Sequence, residues 1–269
     1  MEPEVYEAMR RDQQHHWWFV ARRKILASVL SALPMKANCQ ICEAGCGVGG
    51  NLEMLGTYGS VHAFEINPSA IEKCRLISVA DIREGSLPDH IPFPVDQKFD
   101  LVVAFDVLEH IEDDANSFAA LVDKLHPDGY LFITVPAYAW MMSAHDHAHH
   151  HHRRYSRTSL KALAAQEDIE ILRLGNFNTL LFPVIAAMRL IGKGSDKKHS
   201  DADMPGNMVN AILRRIFSWE ARFTGRFFFP FGTSLALVVR KKSLIQLFSA
   251  GKISLTLLAM KTGRRLVSR

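Results

Sequence analysis

Cysteine is scarce: Cys39, Cys42, Cys46 and Cys74 are the only four in 269 residues, too few and too clustered for the disulfide framework of a secreted protein. Cys39 and Cys42 have the spacing of half a zinc site, but no second Cys or His pair follows at finger or ribbon distance. They are expected to be small buried residues, and no metal is assigned. Long apolar runs are also missing. The most apolar stretch, 179–192, has 14 residues and includes Arg189, short of the ~20 that a membrane-spanning helix needs. Glu2, Glu4, Glu7 and Arg10 precede any apolar run, so no secretory leader is expected and the chain reads as cytoplasmic. Acidic residues are absent from 241–269, which hold seven basic ones, so the rest of the chain carries net −3 against +4 for the whole. The cationic character belongs to one end, and no nucleic-acid partner is expected. With 48% hydrophobic and 22% charged residues, a disordered or fibrous chain is excluded.

Strand and helix patterns alternate along the rest of the chain. Trp18, Ala21, Ile25 and Val29 recur at helical spacing, predicting an amphipathic helix within 5–33 that ends before Pro34. Apolar runs at 40–44, 61–65, 100–105 and 130–135 read as strands with helices between them, the pattern of a parallel sheet covered on both faces. Residues 159–166 read as a helix, 169–174 as a strand and 234–240 as a final strand, giving six or seven in one sheet. The connection between the last two strands is far longer than the ~4–6 residues usual for a loop, so two helices are expected there, at 179–191 and from about 207. The second places Ile212, Ile216, Trp219, Phe223 and Phe227 on one stripe beside Arg215, Arg222 and Arg226. The expected organisation is a domain over 1–242, with a lid helix at 5–33 and a helical insertion at 178–232, followed by a basic tail at 243–269.

Between the first strand and its helix lies Glu43-Ala44-Gly45-Cys46-Gly47-Val48-Gly49-Gly50. Small residues there let backbone N–H groups and a helix N-terminus approach a ligand. Glu65, ending the next strand, can accept hydrogen bonds from ribose hydroxyls. The glycines also satisfy a dinucleotide fingerprint, but a pyrophosphate gains nothing from Glu43, whereas a cofactor with an α-amino group does. The segment Glu43 to Gly49 resembles the first motif of the class I S-adenosylmethionine-dependent methyltransferases. The stretches Ala63 to Asn67, Phe99 to His110 and Leu125 to Leu131 are similar to later motifs of that family, in the same order. The resemblance implies a Rossmann-like, doubly wound α/β fold of seven strands with an antiparallel C-terminal hairpin, and S-adenosyl-L-methionine as cofactor. It assigns cofactor contacts to Glu43, Gly45, Cys46, Gly47, Gly49, Asn51, Glu65, Ile66, Ser86, Leu87, Phe105 and Asp106. Ser86 stands where many members have an acid facing the adenine amine.

For the chemistry itself, His110 follows the fourth strand and is a candidate base, or else simply begins the next helix. The tract from His145 to Arg157 is similar to an element found after the fifth strand in a bacterial small-molecule subgroup, and His16 to Arg23 to that subgroup's N-terminal element. This adds His145 and His151 as catalytic candidates and Trp17, Trp18, Arg153, Arg154 and Tyr155 as substrate-binding ones. For the arginines the choice is between gripping an anionic substrate group and forming structural ion pairs. The expected acceptor is a small molecule methylated on oxygen, lipid-like or carbohydrate-containing. Alternatives are RNA or protein methylation and a non-catalytic cofactor sensor. The aromatic and basic residues of the insertion and tail fit either an anionic membrane surface or internal packing. A monomer or homodimer is expected.

Overall fold

The computed structural model describes residues 13–76, 80–165, 168–192 and 205–249. Residues 5–12 of the expected lid helix, the middle of the insertion and most of the basic tail lie outside the described residues. Helix α1 (Trp17–Leu30) comes first. Then β1 (Cys39–Ala44), α2 (Leu52–Gly56), β2 (Gly59–Glu65), α3 (Pro68–Cys74) and β3 (Ala80–Glu84) form one half of the fold. The other half holds β4 (Phe99–Phe105), α4 (Asp114–Asp123), β5 (Leu125–Pro136), the short α5 (Ala144–Ala148), α6 (Arg157–Leu163) and β6 (Ile169–Phe177). The insertion contributes α7 (Phe182–Gly192), α8 (Asn207–Trp219) and α9 (Ala221–Thr224), before β7 (Ser234–Lys241) and α10 (Leu244–Ser249).

The seven strands run in the order β3-β2-β1-β4-β5-β7-β6. All neighbours are parallel except β7, which is antiparallel to both β5 and β6. The strand order reverses between β1 and β4, so the crevice beyond their carboxyl ends is where an open α/β sheet receives a ligand.

Side-chain parity distributes the strands over two cores. Cys39 and Ile41 of β1, Leu101, Val103 and Phe105 of β4, and Tyr130 and Phe132 of β5 face α1. Their alternates, Cys42, Ala44, Val102, Ala104, Leu131 and Ile133, face Phe118, Leu121 and Val122 of α4. The same period of two puts Glu43 and Thr134 on the α1 face, at the carboxyl edge. Local chemistry sets the helix starts: Asn67 accepts from the Ala70 N–H, and Asp113 from the Asn116 N–H, both N-caps. In β5 the pairing jumps from Phe99↔Leu125 to Leu101↔Tyr130, so residues 126–129 bulge out.

The C-terminal half of α1 is anchored by Ala21, Ile25, Leu26, Val29 and Leu30, all fully buried. Each larger aliphatic contributes about 1.5–3 kcal/mol. Helix α8 packs on its N-terminal half. Asn210 accepts from the Trp17 N–H at 2.7 Å, and Phe217 lies 5.9 Å from Trp17 and 6.3 Å from Phe177. The seam that α8 buries runs through Leu213 and Phe217, and of the stripe for which the sequence leaves packing and an outward-facing surface both open, Ile212 is 51% and Trp219 44% exposed. Glu220, between α8 and α9, is buried, and its carboxylate accepts from the N–H groups of Asn178, Thr179 and Leu180. No helix among the described residues is long and apolar enough to cross a membrane.

Candidate active site

The turn after β1 needs glycine at three left-handed positions, Gly45, Gly47 and Gly49 (φ +65°, +55° and +84°), which cost other residues about 1–2 kcal/mol. A Cβ on Gly45 would meet Val107 at 2.8 Å, whereas one on Gly47 would meet nothing within 4 Å. The open side of Gly47 is therefore space kept for something other than protein. Cys46 is buried in the turn, its Sγ 4.0 Å from Cys74. Glu65, ending β2, accepts from the Gly47, Ile66 and Asn67 N–H groups, which holds its carboxylate against the loop. Ile66 beyond it is 65% exposed.

Glu43 is buried beneath this loop. One oxygen accepts from the Asn51 side chain at 2.9 Å, so Asn51 stands at the α2 N-cap position without capping it. The other oxygen has no hydrogen-bond partner. Burial pushes the Glu43 carboxyl up to about 7, against the opposing pull of Asn51 and Arg22. An orphaned buried oxygen beside an open glycine turn fits a cofactor that brings its own cation, as S-adenosylmethionine does through its ammonium and sulfonium. Ser86 and Leu87 follow β3 at the same edge, in a turn closed by reciprocal backbone hydrogen bonds between Ser86 and His90.

Arg22 unites the site. Its guanidinium meets Asp106 at 2.7 Å and Thr134 at 2.9 Å, and lies 5.0 Å from the Trp18 ring and 5.6 Å from that of Phe105. Thr134 in turn donates to Asp106, whose φ of +57° turns the chain at the end of β4. Arg22 belongs to the N-terminal element resembled above, yet sequence reasoning did not single it out. The available signal was a cation on the same helical face as Trp18 and Ile25, next to the apolar stripe. Trp17 and Trp18 are half-buried against the core.

Just beyond β4, Glu109 is fully buried with both carboxylate oxygens unpartnered. Burial, and then the nearby charge of Asp106, push its carboxyl well above the usual range. The His110 and His151 rings lie edge to face, 4.6 Å apart. Burial, reinforced by His151, pushes His110 down to about 3. Such a ring stays neutral in ordinary buffers and is a weak base.

The tract that supplies His151 is fastened by Asp146, which is buried and accepts from the Ser143 N–H and Oγ, from His151 Nδ1, and bidentately from Arg154. Arg154 also donates to the Ala137 carbonyl. Arg153 pairs with Asp114 at 2.8 Å and donates to the Glu112 carbonyl, and the Tyr155 hydroxyl donates to the same Asp114. The hydrogen bonds of Arg153, Arg154 and Tyr155 are thus directed into the fold. Residue 145 is the second of α5, but the His145 side chain lies outside the described ones. Beyond β5 an aromatic series absent from the sequence reading runs from Trp140 to Tyr138, Phe182 and Phe231, at successive ring separations of 6.0, 5.6 and 5.8 Å.

Comparison with known proteins adds three findings. The model of a family described as "Methyltransferase domain" matches residues 14–174. An uncharacterized Synechococcus protein is 33% identical over 114 residues, 39% of this chain but 27% of that protein, so the chain spans about a quarter of the curated relative it matches. Among solved structures, the plantazolicin methyltransferase BpumL in complex with SAH superposes with TM-score 0.59 and 13% identity, over 90% of this chain and 91% of that one. An S-adenosylmethionine-dependent methyltransferase from Mesorhizobium loti gives 0.53 and 16%, over 81% and 98%. The [4+2]-cyclase SpnF gives 0.51 and 15%, over 82% and 80%. The cyclase shows that the fold alone does not dictate the reaction.

The two arginines of the tract should separate in stability. Arg154→Ala leaves Asp146 buried and half-satisfied, a loss of about 3–5 kcal/mol, whereas Arg153→Ala removes a part-exposed pair worth under about 1 kcal/mol. Denaturant unfolding of both variants checks this; equal stabilities would refute the assignment of Arg154 to the scaffold.

Proposed function

The chain belongs to the methyltransferase-domain family, and we propose that it transfers a methyl group from S-adenosylmethionine to an oxygen of a small acceptor, lipid-like or carbohydrate-containing. When bound, that cofactor supplies a methyl group on a sulfonium, whose in-line displacement depends on alignment and exclusion of water. On this chain Glu43 would take the cofactor's cationic end and Glu65 the ribose, with Gly47 leaving them room. Arg22 holds Asp106 and Phe105 in place at the end of β4, and Trp18 covers Arg22.

The observation that carries the acceptor assignment is the series Trp140, Tyr138, Phe182 and Phe231 at the carboxyl edge of β5. Two of its members are clearly exposed, Trp140 at 39% and Phe231 at 44%. Half-exposed aromatic rings in sequence suit an apolar ligand entering from solvent. Phe182 of the series begins α7, where Val184, Met188 and Leu190 are exposed, and α8 separately exposes Met208, Val209, Ile212, Ile216 and Trp219. Beside this surface is a cavity of about 630 Å³ lined by Lys24, Arg214, Arg215 and Arg222 around Trp219. Apolar side chains flanked by guanidinium groups fit an interface with anionic lipid, and a membrane-adjacent enzyme would meet its acceptor there.

Two experiments follow. With methyl-labelled S-adenosylmethionine and a cell extract, label should enter the organic-soluble small-molecule fraction; label only in macromolecules would overturn the acceptor assignment. Sedimentation with phosphatidylserine-rich vesicles should deplete the protein from solution while phosphatidylcholine vesicles should not, and Ile212→Asp combined with Trp219→Asp should abolish depletion. Equal recovery with both lipids would remove the membrane from the account.

A further inference from the structure

We propose that Glu109, His110 and His151 form a binding site for one divalent first-row transition-metal ion. The donor atoms of these three side chains all lie within 4.8 Å of one another. They come from two separate places in the chain, the turn after β4 and the histidine tract after β5. The tract is sewn to that turn by the His152 N–H, which donates to the Glu109 carbonyl at 2.8 Å.

Glu109 carries the argument. It is fully buried, yet neither oxygen has a hydrogen-bond partner. Leaving a buried polar group unmatched is unfavourable, and protonating the carboxyl does not relieve this, because the O–H and C=O still lack partners. A cation between Glu109 and the histidines satisfies both oxygens and the charge. The imidazoles are prepared for it. His151 Nδ1 is held by Asp146 at 2.9 Å, leaving Nε2 for an ion, in the carboxylate–histidine–metal arrangement that orients metal ligands. The His110 ring lies edge to face with that of His151, 4.6 Å away.

Two imidazoles and one carboxylate select a borderline ion such as Zn²⁺, Fe²⁺ or Co²⁺ over Ca²⁺ or Mg²⁺. Bonds of about 2.1 Å would set the donors roughly 3.4 Å apart, a closure that side-chain rotation can supply. Three protein ligands leave positions open, as in catalytic rather than structural sites. Resting on the methyl-transfer reading, we assign one open position to the acceptor oxygen, which favours acceptors with a second oxygen nearby to complete a chelate. The sequence marks His145 and His151 within the tract only through the family resemblance, and it assigns no metal there. Folding makes His151 unlike its neighbours, because it is brought to Glu109 while His147 and His152 stay exposed.

The test uses the full chain without an affinity tag, stripped with a chelator and then titrated with Zn²⁺ and separately with Co²⁺. One ion per chain should bind. Glu109→Gln, which keeps size and polarity, and His151→Ala should each weaken binding at least ~10-fold and change the visible absorption of bound Co²⁺. His147→Ala with His152→Ala should leave both unchanged. Thermal unfolding and S-adenosylhomocysteine binding report whether each variant is folded. No stoichiometric ion would overturn the proposal, as would binding that survives Glu109→Gln but is lost with His147 and His152, which marks chelation by the exposed tract alone. Ion binding is read without turnover, so a failed methyl transfer and a failed metal site remain distinguishable.

Discussion

One buried guanidinium, that of Arg22, joins the first helix to the ends of both central strands, and the candidate active site is organised around it. Its pairing with Asp106 and Thr134 ties α1 to β4 and β5 at the one place where the parallel sheet opens to receive a ligand. A buried charge is tolerated only where partners replace the water it has lost. Arg22 finds them in a carboxylate, a hydroxyl and two aromatic faces. Glu43, Asp106 and Glu109 lie around it, and two of these acids, Glu43 and Glu109, keep unpartnered oxygens. A cationic cofactor at Glu43 and the proposed metal ion at Glu109 would each give those oxygens a partner.

A second electrostatic centre, Asp146, gives shape to a segment whose composition alone would suggest a solvated, featureless run. Five hydrogen bonds converge on its carboxylate, and they hold the carboxyl well below the usual carboxylate range in spite of its burial. Arg154 and His151 are fixed in consequence, one as scaffold and the other with a nitrogen to spare. The tract's neighbours, Arg153 and Tyr155, converge on Asp114 at the start of α4. The charge in this segment therefore works first to seat the loop that follows β5, and the proposed acceptor surface rests instead on the exposed aromatic series.

Much of this was legible in the sequence because it depends on local rules. The glycine turn, the carboxylates at Glu43 and Glu65, and the alternation that builds a parallel sheet are each set by a few adjacent residues, and the antiparallel pairing of β6 with β7 followed from the family resemblance. Less legible were features decided by distant partners. The apolar stripe of α8 through Ile212 and Ile216 is the more conspicuous in sequence, but Trp17 and Phe177 lie on the other side, so the helix buries Phe217. The bulge at residues 126–129 reflects a pairing register that no local pattern encodes. Glu109 reads as an ordinary helix-start acid, and only the fold shows it sealed with two histidines.

The central claim is that the buried Glu43 carboxylate receives the cofactor's positive charge. Calorimetric titration with S-adenosylmethionine at pH 7, repeated in two buffers of different ionisation enthalpy, tests it most directly. A carboxyl that titrates near 7 is about half protonated at that pH and must ionise to hold a cation. Binding should therefore release about half a proton, and Glu43→Gln should bind weakly and without release. A binding enthalpy independent of buffer in the unmodified protein would contradict the account.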